Sequence, residues 1–293
     1  MANREKQISQ KLISIVIGTL NRPAVVLDLL TQLSKYSQNI PLEVLIFDQS
    51  SKKNKNILKN SFPKKDSFRL FELDKPNTCR YLNLGWKNAT APIVLYLDDD
   101  VSIDDRAIQA HLDAYTNNNT NAVAGRVINN GEKITADNRV GKVLWFGALL
   151  TKNFSHDQNT YVDFPYGCNM SFRKKIIRET GGFDEHLKPP VYAFNEVDLG
   201  YRISRRWRNS ILFIPEALVY HHQAKTGGTR DNFPKPAVYY CQQFNYGYFL
   251  GKNLNLIQNL ICFSRRLCYQ VIKEPQAIPM IIRGYLYGKK LLV

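Results

Sequence analysis

A chain of 293 residues, 44% of them hydrophobic, can bury a substantial core, and its length suits one large domain or one domain with an appendage. This composition excludes an intrinsically disordered protein. A formal net charge of +15 calls for an acidic partner, which leaves nucleic acid, an anionic membrane surface and a phosphorylated small molecule as candidate classes.

Met1 to Lys6 carry no apolar stretch, and nowhere do about 18 uncharged apolar residues run together, so neither an export signal nor a spanning helix is expected. The first element is a β-branched run, Ile13 to Ile17, followed by Gly18-Thr19-Leu20-Asn21-Arg22-Pro23 and then by apolar positions at helical spacing, Val26, Leu27, Leu30 and Leu33. Asn21 fits an N-cap, with Pro23 in the first turn. A second strand, Leu42 to Phe47, ends in Asp48-Gln49-Ser50-Ser51. A third, Phe68 to Leu73, precedes Asp74-Lys75-Pro76-Asn77 and a helix from about Arg80 to Lys87. The fourth, Ile93 to Leu97, closes on Asp98-Asp99-Asp100.

Carboxylates stacked at the mouth of a sheet repel one another and lose solvation unless a cation or hydrogen-bond donors fill the gap, which points to a metal-dependent site. The plain alternative is an acidic turn, with Ser102-Ile103-Asp104-Asp105 opening a helix just after it. Strands alternating with helices over the first hundred residues predict a largely parallel sheet covered by helices, with ligands at the carboxyl ends of its strands. Thr19, Arg22, Asp48 and the triplet all fall at such ends. No GxGxxG or GxxxxGK[ST] sequence occurs, which argues against a dinucleotide site or a P-loop.

From about Ala122 to Asp163 short β-like pieces, Val123 to Ile128 and Val143 to Leu150, alternate with Asn- and Gly-rich turns. Phe164 to Arg173 follows, then a helix from Lys174 to Thr180, Gly181-Gly182-Phe183-Asp184, and a helix containing Asn195 to Arg202. His221-His222 end a strand-like region made of Ile211 to Ile214 and Ala217 to Tyr220, ahead of Lys225-Thr226-Gly227-Gly228-Thr229-Arg230. After Pro234 the chain becomes aromatic and basic, from Tyr239, Tyr240 and Phe244 through Arg265 and Arg266 to Lys289 and Lys290, with the aromatics at helical spacing. No RNA- or DNA-binding signature accompanies them, so no nucleic-acid partner is expected. The five cysteines form no CxxC pair and leave an odd one over, which fits a reducing cytoplasm.

Five segments in register, Ser14 to Arg22, Phe47 to Ser51, Leu97 to Asp100, Asn169 to Arg173 with Gly181 to Glu185, and Glu196 to Arg202, resemble the family 2 glycosyltransferases, inverting enzymes of the GT-A fold. The resemblance covers roughly residues 12 to 230. It implies an α/β fold with a mostly parallel central sheet flanked by helices, residues 1–233 forming the transferase domain and 234–293 a C-terminal helical extension. It also implies a nucleotide-sugar donor, a glycan or lipid-linked acceptor in surface polysaccharide synthesis, and a divalent metal, Mn2+ or Mg2+. By the same resemblance Thr19, Arg22, Asp48, Arg80, Asp98, Asp99 and Asn169 would lie along the donor. Asp98 and Asp100, with His221, would hold the metal, and the plain alternative for Asp99 is that it faces solvent. Glu196 occupies the catalytic-base position, with Glu where the family has Asp, and Asp198 is the second candidate. The family's arginine next to Asn83 is Leu82 here. Lys225 and Arg230 would close over the diphosphate. The C-terminal helices would rest on the inner face of an anionic membrane. Two other classes compete: a nucleotidyl- or phosphotransferase with a two-metal aspartate site, and a non-catalytic sugar or nucleic-acid binding protein.

Overall fold

The computed structural model describes residues 12–132, 139–144, 150–151 and 153–291. The N-terminal segment, much of the Val143 to Leu150 run and the Arg230 side chain lie outside them. The first four strands, β1 (Ile13–Thr19), β2 (Leu42–Asp48), β3 (Phe68–Glu72) and β4 (Ile93–Asp98), pair in parallel in the order β3-β2-β1-β4. They are linked by the helices α1 (Pro23–Tyr36), α2 (Lys52–Ser61) and α3 (Thr78–Asn88). Because helices cover both faces, β1 and β2 read as continuous apolar runs instead of alternating ones. Within β2, the Glu43 carboxylate is held by donors from Ser14 Oγ, Thr90 and Arg69, contacts that outweigh its burial and keep its carboxyl below its usual range.

After β4 the chain turns sharply at Asp99 and Asp100 into β5 (Val101–Ile103), a strand where a helix start is expected; the helix, α4 (Ala107–Ala114), begins four residues later. The described residues continue through β6 (Ala122–Asn129), the small hairpin β7 (Lys142–Val143) and β8 (Leu150–Thr151), β9 (Thr160–Tyr161), β10 (Asn169–Arg173), α5 (Lys174–Glu179), α6 (Asn195–Arg206) and β11 (Ile211–His221). The main sheet runs β3-β2-β1-β4-β10-β6-β11-β5, with β9 paired to β11 off this path. It is mixed: β10 is antiparallel to both of its neighbours. The reason is local, because Asn169 pairs with Leu97 at the carboxyl end of β4, so a strand entering there can only run back down beside it. Asn21 does not cap α1. It takes a left-handed conformation one residue early, and its side-chain Oδ1 accepts from the Ser51 N–H and the Asn54 amide, tying the first loop to the second.

A buried polar relay fixes the join of α4, β6 and β10. The Asn169 amide nitrogen donates to the Arg126 and Ala217 carbonyls, so its oxygen is the acceptor that faces His111 Nε2 at 2.9 Å. His111 therefore carries its proton on Nε2 and accepts at Nδ1 from Ser171 Oγ, which in turn accepts from Tyr115. Gly125 makes the relay possible, since a Cβ there would sit 2.1 Å from Asn169 Nδ2.

The chain ends in α7 (Gly228–Asp231), α8 (Lys235–Asn253), α9 (Leu256–Lys273), a short 3-10 turn (Pro275–Ala277) and α10 (Ile278–Lys290). Tyr248, Phe249, Leu250 and Leu254 join the same apolar core as the sheet. Helices α8 and α10 approach backbone to backbone: a Cβ on Gly247 or Gly251 would strike the Ile281 or Tyr285 carbonyl at 2.1 or 2.3 Å. The two GxxxG spacings, Gly247/Gly251 and Gly284/Gly288, are the sequence trace of that contact.

Burial drives the His111 imidazole down to about 4, against the Asn169 bond that favours its charged form. Between pH 6.5 and 4 the unfolded chain binds a proton that the folded one refuses, so stability is complete above the upper value and is lost as pH falls. Denaturant unfolding is expected to lose up to about 3 kcal/mol across this window. His111→Gln should flatten the slope, and a slope as steep as the wild type's would contradict the relay.

Candidate active site

A cavity of about 820 Å³ opens at the carboxyl ends of β1 and β4, between the Gly167-Cys168 turn, the start of α6, the segment after β11, and helices α8 and α9. Parallel register delivers its floor. Gly18 lies opposite Asp98, and Thr19 opposite Asp48. Gly18 has to lack a Cβ, which would meet the Tyr81 ring at 2.5 Å.

The aspartate triplet is both an acidic turn and a cluster of three distinct environments. Asp98 projects into the cavity with its side chain 41% exposed. Asp99, expected in solvent, is buried instead: Thr19 Oγ1 donates to it at 2.6 Å and Arg22 grips it through Nε and an Nη at 3.0 and 2.7 Å. Burial pushes its carboxyl up to about 7 against those two partners. Asp100 accepts from the other Arg22 Nη at 2.9 Å and from the Ala224 N–H at 2.9 Å. Burial alone would raise the Asp100 carboxyl, yet His221, Arg22 and that N–H prevail and hold it well below the usual range. For Arg22, burial opposes the charge and the three carboxylates outweigh it, keeping the guanidinium above its ordinary value.

His221 arrives from the far end of the chain. Antiparallel pairing sets it opposite Val101, one residue past Asp100, and its Nε2 lies 3.3 Å from Asp100 Oδ1 and 3.8 Å from Asp98 Oδ2. The pairing of β11 with β6 shifts register between Ile214 and Leu218, and beyond the shift β11 pairs with β5 on its other edge. Nδ1 faces Asn129 Oδ1 at 2.9 Å, and that amide's nitrogen already donates to Glu132, so Nδ1 is the donor. Nε2 then faces the two carboxylates: a proton there stabilises the Asp100 carboxylate, and its lone pair would be the ligand to a cation bound in the proton's place. Ligand atoms of Asp98, Asp100 and His221 lie within 4.8 Å of one another, and two hard oxygens with one imidazole nitrogen fit a divalent cation of the Mn2+ or Mg2+ type.

Glu196 faces the same cavity from the first turn of α6, where a carboxylate suits the positive end of the helix dipole. Phe194, directly before the helix, is held at φ 75°, a region most side chains avoid, and this sharp entry sets the direction of the first turn. Asp198 looks the other way. It is buried among Arg202, Lys252 and Asn253, with Lys252 Nζ bridging it to Asp184, so it does not line the cavity. Tyr248 also donates to Asp184 at 2.6 Å; burial would raise that carboxyl, but Lys252 and Tyr248 lie so close that Lys252 holds it well below its usual range.

The remaining expectations divide. Arg80 is exposed and off the cavity, because Asn77 caps α3 and the turn that follows presents Thr78, Tyr81 and Leu82 to it. Asn169 is consumed by the His111 relay inside the sheet. Asp48 is buried at the end of β2; its Oδ1 accepts from the Ser50 N–H, while Oδ2 has no hydrogen-bond partner among the described residues. Lys225 is exposed and off the cavity, whereas Gly227 and Gly228 of the same loop cover Arg22, leaving 3.1 and 2.9 Å for an added Cβ. Sequence reasoning missed Tyr81, Gln243, Tyr246 and Arg266 as cavity residues, and nothing in the aromatic and basic tail signals which of its faces would turn inward.

The family model "Glycosyl transferase family 2" matches residues 14–181, more than half of the chain. The chain belongs to glycosyl transferase family 2. Its architecture is the GT-A fold, with a central mixed sheet flanked by helices and a C-terminal helical region. No relative among the curated proteins matches at the sequence level. Solved structures do. S. aureus TarS 1-349 in complex with UDP-GlcNAc is 15% identical with a TM-score of 0.63, over 93% of this chain and 79% of that one. Mannosyltransferase PcManGT from Pyrobaculum calidifontis in complex with GDP-Man and Mn2+ is 14% identical with a TM-score of 0.59, over 97% and 76%. GalNAc-T7 with UDP, GalNAc and Mn2+ is 13% identical with a TM-score of 0.66, over 97% of this chain and 56% of that one. The family match stops before α6, so Glu196, His221 and the C-terminal helices of this family 2 chain lie beyond it.

Lys252 joins that C-terminal region to α6, and removing one partner of a buried ion pair leaves the others uncompensated. Lys252→Met is expected to lose about 3 kcal/mol in urea unfolding, and Lys252→Arg much less. Equal stability of Lys252→Met and the wild type would show that the bridge contributes nothing.

Proposed function

We propose that this glycosyltransferase is metal-dependent and inverting, moving a sugar from a nucleotide-sugar donor to a glycan or lipid-linked acceptor. The observation that carries the reading is the convergence of Asp98, Asp100 and His221 on one point in the same cavity as Glu196. A divalent cation bound there would offset the charge of a departing diphosphate. The chain's own groups do the rest. Asp48, buried at the end of β2 with an Oδ2 that has no hydrogen-bond partner among the described residues, would accept from the base, and Thr19 and Arg22 fix the triplet through the buried Asp99. Glu196 takes the proton from the acceptor hydroxyl as that oxygen attacks the anomeric carbon from the side opposite the leaving group. The complexes named above, with GDP-Man and Mn2+ or with UDP-GlcNAc, support a donor and metal of these types. A two-metal phosphotransferase would want a further carboxylate for a second ion, and Asp99 is already taken by Thr19 and Arg22.

Residues 1–233 act as the transferase unit in this reading, and 234–293 as an addition that shares its core and walls its cavity. Among the described residues no helix is long and apolar enough to cross a membrane. Peripheral attachment to an inner membrane face is supported by Leu256, Ile257 and Leu260 on α9, which are 68%, 69% and 64% exposed. Because α8 shares the core of the sheet, deleting the tail would test folding and not attachment. The triple change Leu256→Ser, Ile257→Ser and Leu260→Ser is the cleaner probe. It should leave anionic liposomes on flotation while the wild type stays with them, and identical partition of the two would remove this part of the reading.

Turnover is measured as nucleoside diphosphate released with Mn2+ and a panel of nucleotide-sugars. Glu196→Gln is expected to lower it by roughly 10² to 10⁴-fold while calorimetric binding of the nucleoside diphosphate with Mn2+ is retained. Chelation of the metal should abolish both. Full turnover in Glu196→Gln would exclude it as the base, and release of pyrophosphate would exclude glycosyl transfer.

A further inference from the structure

Backbone conformation or crowding accounts for every described glycine but one. Each of the others either has a positive φ or would drive a Cβ to within 2.6 Å of a neighbour. Gly167 does neither. With Cys168 it fills the two central positions of a tight turn, closed by the Asn169 N–H donating to the Tyr166 carbonyl at 3.0 Å. Neither central residue has a positive φ, so the turn itself accepts ordinary side chains. Apart from its chain neighbours, a Cβ on Gly167 would meet one described atom inside 4 Å, the carboxyl carbon of Glu196 at 3.9 Å. An open volume therefore lies directly beside the proposed base, and the fold does not call for it. The same turn reaches the acidic cluster. Asn169 pairs with Leu97 in antiparallel register, so the next position outward, Cys168, lies on the side of Asp98. Both turn residues line the cavity. Burial raises the Cys168 thiol well above its usual range and the carboxylates of Asp98, Asp100 and Glu196 add to this, which leaves a small uncharged side chain between cluster and base.

We propose that the transferred sugar of the donor lies across this turn, and that the missing side chain of Gly167 is what admits it. This rests on the transferase reading above. A diphosphate held at Asp98, Asp100 and His221 carries its sugar directly on a terminal oxygen, and the acceptor oxygen deprotonated by Glu196 must meet the opposite face of the anomeric carbon. The ring is thereby confined to the gap between cluster and base. The Gly167-Cys168 turn spans that gap. A methyl group on residue 167 would stand in it at contact distance from the Glu196 carboxyl, and a branched side chain would extend further. Reacting atoms have to approach to about 3 to 3.5 Å, so displacing the ring by about 1 Å is enough to lower turnover by about 10²-fold. Gly167 is thus a specificity-determining position: a side chain there would reach the sugar and leave the nucleotide alone.

The test compares wild-type protein, Gly167→Ala and Gly167→Val, all full length and with Mn2+. Calorimetry first selects, among UDP, GDP, dTDP, CDP and ADP, the diphosphate that the wild type binds best. That diphosphate and its hexosyl conjugate are then titrated into each protein. The variants are expected to bind the diphosphate as the wild type does. Affinity for the conjugate should fall by about tenfold in Gly167→Ala and further in Gly167→Val. Urea midpoints should be unchanged or higher, because alanine at a compatible φ reduces the freedom of the unfolded chain. Should Gly167→Val fail to fold, Gly167→Ala carries the comparison alone. The inference is overturned if the variants bind the conjugate as the wild type does, or if their affinity for the diphosphate falls in parallel. It is also overturned if the wild type takes the diphosphate but not the conjugate, or if Gly167→Ala lowers the urea midpoint. A wild-type protein that binds none of these diphosphates would overturn the transferase reading as well, which separates the two failures.

Discussion

Three consecutive carboxylates at the end of a buried strand repel one another, and every other feature of the site follows from how this chain makes them tolerable. The compensation is unequal by design of the topology. Arg22, from the first loop, clamps Asp99 and Asp100 together, Thr19 adds a hydroxyl, and the Ala224 N–H and His221 come in from beyond β11. Asp98 is left projecting into the cavity with Asp100 and His221 around one point. A single charge pattern thus divides into an internal clamp and an outward-facing ligand set, and the division depends on contacts between residues about 80 to 120 positions apart.

The second constraint is the two-sided use of α6. Its first turn offers Glu196 to the cavity and, two residues later, Asp198 to a buried ion-pair network with Arg202 and Lys252. Successive positions near a helix start point in different directions, so two carboxylates with the same local sequence signal have opposite surroundings. Lys252 belongs to α8, so the orientation of α6 is tied to the helices that follow the sheet. Those helices are bound in turn by the close backbone approach of α8 and α10 that four glycines allow. The far wall of the cavity and the helix that carries the proposed base are therefore parts of one packed assembly.

In the sequence, the parallel half of the fold was legible because buried parallel strands leave continuous β-branched runs, and the loops at their ends announce themselves with Asp, Asn and Gly. The antiparallel course of β10 was not, since strand direction is set by where the preceding loop ends and leaves no mark on composition. Asn169 illustrates the same gap in the site: it stands in a motif shared with the family, yet its amide is spent on His111 and two carbonyls inside the sheet. Arg80 lies one helical step away from the cavity lining, because the cap at Asn77 decides which residues of α3 look inward, and Tyr81 lines the cavity.

The amino-acid order by itself determined the fold class, the strand ends that carry Thr19, Arg22 and the triplet, and the presence of a carboxylate pair at the start of α6. These depend on periodicity and on short-range chemistry, which a linear string records. Only the tertiary structure decided that Asp99 is buried while the Asp98 side chain stays open to the cavity, that Glu196 and not Asp198 meets the cavity, and that Gln243, Tyr246 and Arg266 line it from the helices after the sheet. Each of these turns on which distant side chains arrive to neutralise or cover a given residue, and that is fixed by strand register and helix packing, not by the residue's own neighbours in the chain.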